Sequence, residues 1–152
     1  MPCSAHNALE GVVWLPRLLE KARRNEAAGV SGSDHMCGYL YGDNDAVDKE
    51  VLAFLRTDDA TVSALVRQQP DDFAVARTLV ERGGRTMQER EAFNLSLRRK
   101  FFNFALFDAD EGRMSPGLKR NLLAFVYNRL LMPIFYAQFH RAEQERARAD
   151  EG

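Results

Sequence analysis

Two pairs of residues raise the question of metal chemistry. Cys3 and His6 stand three positions apart and His35 and Cys37 two apart, and zinc accepts both residue types. Structural zinc pairs hold two to four residues between ligands, which H-x-C does not, and the other pair lies in a terminal stretch, so the spacing predicts no metal and no cofactor. The patterns that build metal sites on helices, E-x-x-H and H-x-x-x-H, occur nowhere in the chain. Asp108, Asp110 and Gly112 imitate the start of a calcium loop, but glycine comes one position early and Lys119 stands where a bidentate glutamate belongs. Asp43 and Asp45 fail the same test at Val47 and Asp48. Both acidic clusters read as turn and helix-cap chemistry.

Covalent and phosphate chemistry find equally little. Neither G-x-x-x-x-G-K-[ST] nor G-x-G-x-x-G is present. The run Gly29-Val30-Ser31-Gly32-Ser33 has serine where a nucleophile elbow needs its last glycine. Cys37 with His35 lacks an evident third group to orient a base. Catalytic residues therefore stay unassigned.

The first helix is the most suggestive place. Trp14 and Pro16 set an aromatic ring beside a helix N-terminus, whose unpaired N–H groups favour anions, and Arg17, Lys21 and Arg24 follow at steps of four and three. Like charges four apart repel by about 0.2–0.5 kcal/mol on an isolated helix, so a ligand or an acidic neighbour such as Glu20 has to compensate. Two readings stay open: an anion site, or Glu20 paired with Arg24 and the other cations solvated.

These residues have to be carried by helices. Pro16 suits a first turn, Leu15, Leu18, Leu19 and Ala22 give one apolar face, and Asn25 to Gly29 ends the helix. Met36 to Tyr41, among glycines and turn formers, is the one stretch that reads as a strand. Asp45 caps a second helix with Val47, Val51, Phe54 and Leu55, and Thr57 caps a third with Val62, Leu65 and Val66. Pro70 with Asp71 or Asp72 opens a fourth, which Gly83 and Gly84 stop. Thr86 and Glu89 form a capping box for a long helix over 86–107, and Ser115-Pro116 opens the last, over 115–146, which Pro133 should kink. From Leu122 to Phe139 the apolar residues go most of the way round the last helix, so it needs cover on more than one side. Arg98, Arg99 and Lys100 before Phe101 and Phe102 read as a solvated face over buried rings.

The run Gly11-Val-Val-Trp14-Leu-Pro16-Arg17-Leu-Leu-Glu-Lys21-Ala-Arg23, with Gly29, Tyr39-Leu-Tyr41-Gly42, Phe54-Leu55 and Phe93-Asn94, resembles an uncharacterised bacterial family, domain of unknown function 5069, over about residues 7–98. The resemblance implies a small bacterial protein and carries over no catalytic residue. Trp14, Pro16, Arg17, Lys21 and Tyr39 match its pattern, which adds Tyr39 to the anion-site candidates Trp14, Arg17, Lys21 and Arg24.

Length and composition bound the rest. With 152 residues, 45% of them hydrophobic and 28% charged, the chain can bury a core without staples. A net charge of −1 gives no reason to expect nucleic acid or an anionic membrane as partner. Residues 1–80 hold eight Lys/Arg against twelve Asp/Glu and 81–152 hold thirteen against ten, a balance of −4 and +3 that could orient two subunits or two halves of one fold but is too shallow to point to a partner class. The apolar stretch 118–139 carries Lys119, Arg120 and Arg129, each costing about 2.5–3.5 kcal/mol at mid-membrane, so it is not expected to span one. No secretory signal is evident, and two cysteines fit a reduced cytoplasmic protein.

The expectation is an all-α protein of about six helices, four short ones packed on a long C-terminal antiparallel pair, forming one domain over 1–148 with a frayed end at 149–152. Functionally, it is a non-enzymatic binding or interaction protein, a homodimer through the aromatic-rich C-terminal helices. The alternative is a small enzyme or sensor of an anionic metabolite at the N-terminus of the first helix.

Overall fold

The computed structural model describes residues 3–27, 41–100, 104, 109, 116–126 and 129–130. The chain forms two compact units, 1–102 and 103–152. The first opens with a hairpin that sequence periodicity does not announce, β1 (Ala8–Leu9) paired antiparallel with β2 (Val12–Val13) in the register Leu9 to Val12. Glu10 and Gly11 between them both have positive φ, 48° and 73°, the signature of the mirror-image two-residue turn whose twist suits a hairpin. The fold is thus mostly helical but not purely so. The strand expected at Met36 to Tyr41 falls, apart from Tyr41, outside the described residues.

Five helices follow in this unit: α1 (Leu15–Ala27), α2 (Ala46–Leu55), α3 (Asp59–Gln68), α4 (Asp72–Gly83) and α5 (Met87–Lys100). The Asp45 side chain accepts from Val47 N and Asp48 N as the cap of α2. At α3 the cap is Asp58, taking Thr61 N, rather than Thr57. Thr86 and Glu89 close the capping box at α5, Glu89 accepting from Thr86 N at 2.8 Å and Thr86 Oγ1 from Glu89 N at 3.2 Å.

The core gathers on α1, which lies against α3 and, less extensively, α4 and β1. Leu15, Leu18, Leu19 and Ala22 are fully buried, facing the same interior as Val51, Leu55, Val62 and Leu79. Helix α4 approaches α2 so closely at Gly83 that an added Cβ would lie 3.0 Å from the Leu55 carbonyl oxygen. Helix α5 is anchored by a stack of Phe54 on Phe93, ring centres 4.0 Å apart, and by Asn94, which accepts from Val13 N and donates to Gly11 O, both at 2.9 Å. Arg90 donates to Glu10 O at 2.6 Å. Residues 80 to 83 positions apart thereby pair with the hairpin's backbone groups.

In the second unit the described helix is α6 (Leu118–Val126). The rest of the anticipated pair, including Pro133 and most of 115–146, lies outside the described residues. No described helix is long and apolar enough to cross a membrane.

Candidate functional site

Helix α1 starts under strain. Trp14 supplies the carbonyl that receives Arg17 N and Leu18 N, both at 3.0 Å, and does so at φ 72°, a region that a bulky L-residue avoids. Such a conformation costs on the order of 1–3 kcal/mol and needs surrounding contacts to hold it. Those contacts are polar. The Trp14 ring, fully buried, has the Arg17 guanidinium 5.0 Å and the Lys21 ammonium 5.3 Å from its centre, and its Nε1–H donates to Asp48 Oδ1 at 2.6 Å.

Asp48 is the centre of the arrangement. Its side chain is 0% exposed and Lys21 is 3% exposed. Lys21 donates to Asp48 Oδ1 at 2.6 Å and to Asp45 Oδ2 at 2.9 Å. Gly42 N, opening a 3-10 turn over Gly42–Asn44, donates to Asp48 Oδ2 at 3.0 Å. One carboxylate thus ties the start of α1, its second turn and the segment leading into α2. Burial pushes its pKa up to about 7, with Asp45 adding to the rise and Lys21 and the Trp14 indole opposing it.

The remaining basic residues of α1 are placed separately. Arg17, 1% exposed, donates to Cys3 O at 3.2 Å. Arg24 meets Glu20 at 2.5 Å, the intrahelical pairing anticipated above, with both side chains about one-third exposed. Burial works against the Glu20 charge, but the Cys3 N–H and Arg24 outweigh it and lower its pKa. Arg23 reaches across to the α3–α4 corner, donating to Asp72, Val66 O and Gln69 O. Tyr39, His35 and Cys37 lie outside the described residues. The neighbouring Tyr41 is buried, its hydroxyl donating to Asp59 O at 3.1 Å, and burial raises its pKa.

Lys21 therefore already faces two anions of its own chain, and the carboxylate beside the Trp14 indole belongs to Asp48. Sequence reading identified Trp14, Arg17 and Lys21 but not Asp48, because nothing in a D-K-E run on a short helix marks its first residue as buried. Asp45 was legible only as a cap. Cys3 is half-buried, and burial with the Glu20 carboxylate nearby raises its thiol to about 11, so it is a poor nucleophile at neutral pH. Among the described residues no group of three His, Cys, Asp or Glu side chains could hold a metal ion.

A family model described as domain of unknown function (DUF5069) matches residues 1–113, a span that includes every residue of the Trp14–Lys21–Asp48 cluster and stops short of α6. No curated protein and no solved structure matches the chain.

Proposed function

Because the chain belongs to the family of domain of unknown function 5069, whose description assigns no activity, we propose a function from geometry: a non-enzymatic helical interaction protein that self-associates through its C-terminal helices. The observation that carries this reading is the exposed apolar face of α6. Leu118, Leu122 and Phe125 recur at helical spacing and are 85%, 59% and 58% exposed, and Leu130 beyond them is 56% exposed. Large apolar side chains exposed at helical spacing on one helix often mark a surface that docks something. A second copy is the occupant that fits best, since a symmetric pairing of like faces satisfies both at once. The opposite charge balances of residues 1–80 and 81–152 favour an orientation in which each half meets the other.

The alternative, an anionic metabolite at the N-terminus of α1, requires Lys21 to leave Asp45 and Asp48, a rearrangement that would have to repay two short, buried charge contacts. Sedimentation of the full chain at low micromolar concentration tests the preferred reading. A dimer that Leu122→Glu turns into a monomer with an unchanged helical circular-dichroism spectrum supports it. A monomeric parent overturns it.

A further inference from the structure

The α6 face that carries the self-association reading is not purely apolar. Leu118, Leu122 and Phe125 stand at steps of four and three, and Arg129 continues the series four positions later. Lys119 flanks the first turn, and both cations are exposed. Among the described residues neither has a carboxylate partner. The sequence supplies none nearby: from 112 to 142 it holds Arg113, Lys119, Arg120, Arg129 and Arg141 and no Asp or Glu, the nearest being Glu111 and Glu143.

Pairing two such faces brings like charges together whichever way the helices run. In a parallel pairing Lys119 falls beside Lys119 of the other copy, and Arg129 beside Arg129. In an antiparallel pairing centred between Leu122 and Phe125, Lys119 of each copy falls at the end where Arg129 of the other lies. Either arrangement gathers two cations at each end of the apolar contact, with no carboxylate of residues 112–142 to separate them. The opposite charge balances of residues 1–80 and 81–152 steer the copies as wholes and place no acid within this segment.

We infer that the interface between copies takes up a multivalent oxyanion, a phosphate or diphosphate group seated between Lys119 and Arg129 side chains of the two copies, and that this anion tightens the dimer. The inference rests on self-association through α6. The residue types select the class of ligand. A guanidinium presents its N–H donors in a plane that matches phosphate oxygens, a lysine adds a mobile point charge, and one multivalent ion neutralises two cations where chloride neutralises one. Exposed charge contacts are individually weak, so the two ends together should tighten association by roughly 2- to 30-fold.

Sedimentation of the full chain gives the dimer Kd in sodium chloride and again with about 1 mM inorganic pyrophosphate at equal ionic strength, a concentration too low for general salt exclusion to strengthen apolar burial. Pyrophosphate should lower the Kd by at least about threefold. Lys119→Gln combined with Arg129→Gln, both at exposed positions, should keep the helical circular-dichroism spectrum, dimerise in chloride at least as tightly as the parent, and no longer respond. Arg129→Lys keeps the charge and should keep the response. A parent monomeric in both buffers refutes self-association and this inference with it. A dimer whose Kd pyrophosphate leaves unchanged or raises overturns the anion bridge alone, and so does a response that survives in the double variant.

Discussion

Replacing Lys21 by Met removes one charge and keeps nearly the same volume, which makes it the sharpest perturbation of this fold. Asp48, 0% exposed, would keep Trp14 Nε1 at 2.6 Å and Gly42 N at 3.0 Å but lose the ammonium at 2.6 Å. Asp45 would lose the same partner at 2.9 Å. Breaking a buried pair from one side typically costs about 3–5 kcal/mol, because the surviving charge is left without compensation. For a chain of this length that corresponds to a melting temperature lower by roughly 6–20 °C. The cost should depend on pH in a defined sense. Near pH 5 Asp48 already carries a proton in the parent, since burial holds it at about 7, so the loss there should shrink to the lost packing and hydrogen bonds, about 1 kcal/mol. Near pH 8 the full loss should appear. Adding Asp48→Asn to Lys21→Met should recover part of it, because the amide oxygen still accepts from Trp14 with no buried charge, while the amide NH2 meets the Gly42 N–H donor. Arg24→Met in the same helix is the control: it breaks a partly exposed i,i+4 pair and should cost clearly less than Lys21→Met. Urea midpoints followed by far-ultraviolet circular dichroism at the two pH values provide the assay. A Lys21→Met loss below about 1 kcal/mol at pH 8, or one of equal size at both pH values, would refute the reasoning.

Three further outcomes follow from the same contacts. The Asp48 pKa is raised on folding, from 3.8 to about 7, so the folded chain binds more protons than the unfolded one in that window and this group's contribution to stability falls as pH rises through it; the stability difference between parent and Asp48→Asn should drop by about 2 kcal/mol from pH 5 to 7, and a constant difference in urea midpoints would contradict it. Gly42→Ala sets a Cβ at φ 66° and 2.6 Å from Asp59 Oδ2, and should cost more than 1 kcal/mol on conformational strain alone, whereas Gly84→Ala meets nothing within 4 Å and pays only for its φ of 63°; thermal melts of the two should rank in that order. Asn94→Ala removes the two hydrogen bonds that this side chain makes to the hairpin and should cost about 1–3 kcal/mol, with exchange at the Val13 amide rising while the amides of α4 stay protected.

The helices of the first unit were legible because their signals are local. Asp45, Asp71 and the Thr86–Glu89 box act on backbone groups two or three residues away, and the apolar face of α1 repeats within one helix, so a linear pattern contains all the information they need. The hairpin was missed because its strands are two residues each, too short for alternation to show, and it is held in part by Arg90 and Asn94, 80 and 83 positions along the chain from the groups they bind. The same distinction runs through the candidate site. The sequence alone marked Trp14, Arg17, Lys21 and Arg24 as a basic, aromatic helix start and showed that their charges needed partners. It could say that Glu20 lies one turn from Arg24, because that pairing is intrahelical. Only the tertiary structure decided that Lys21 faces Asp45 and Asp48, since those carboxylates reach it from a helix that begins 25 residues later. The sign and size of every charge interaction in that cluster depend on distance and on exclusion of water, and both are set when α1 and α2 pack together rather than by the order of residues along either one.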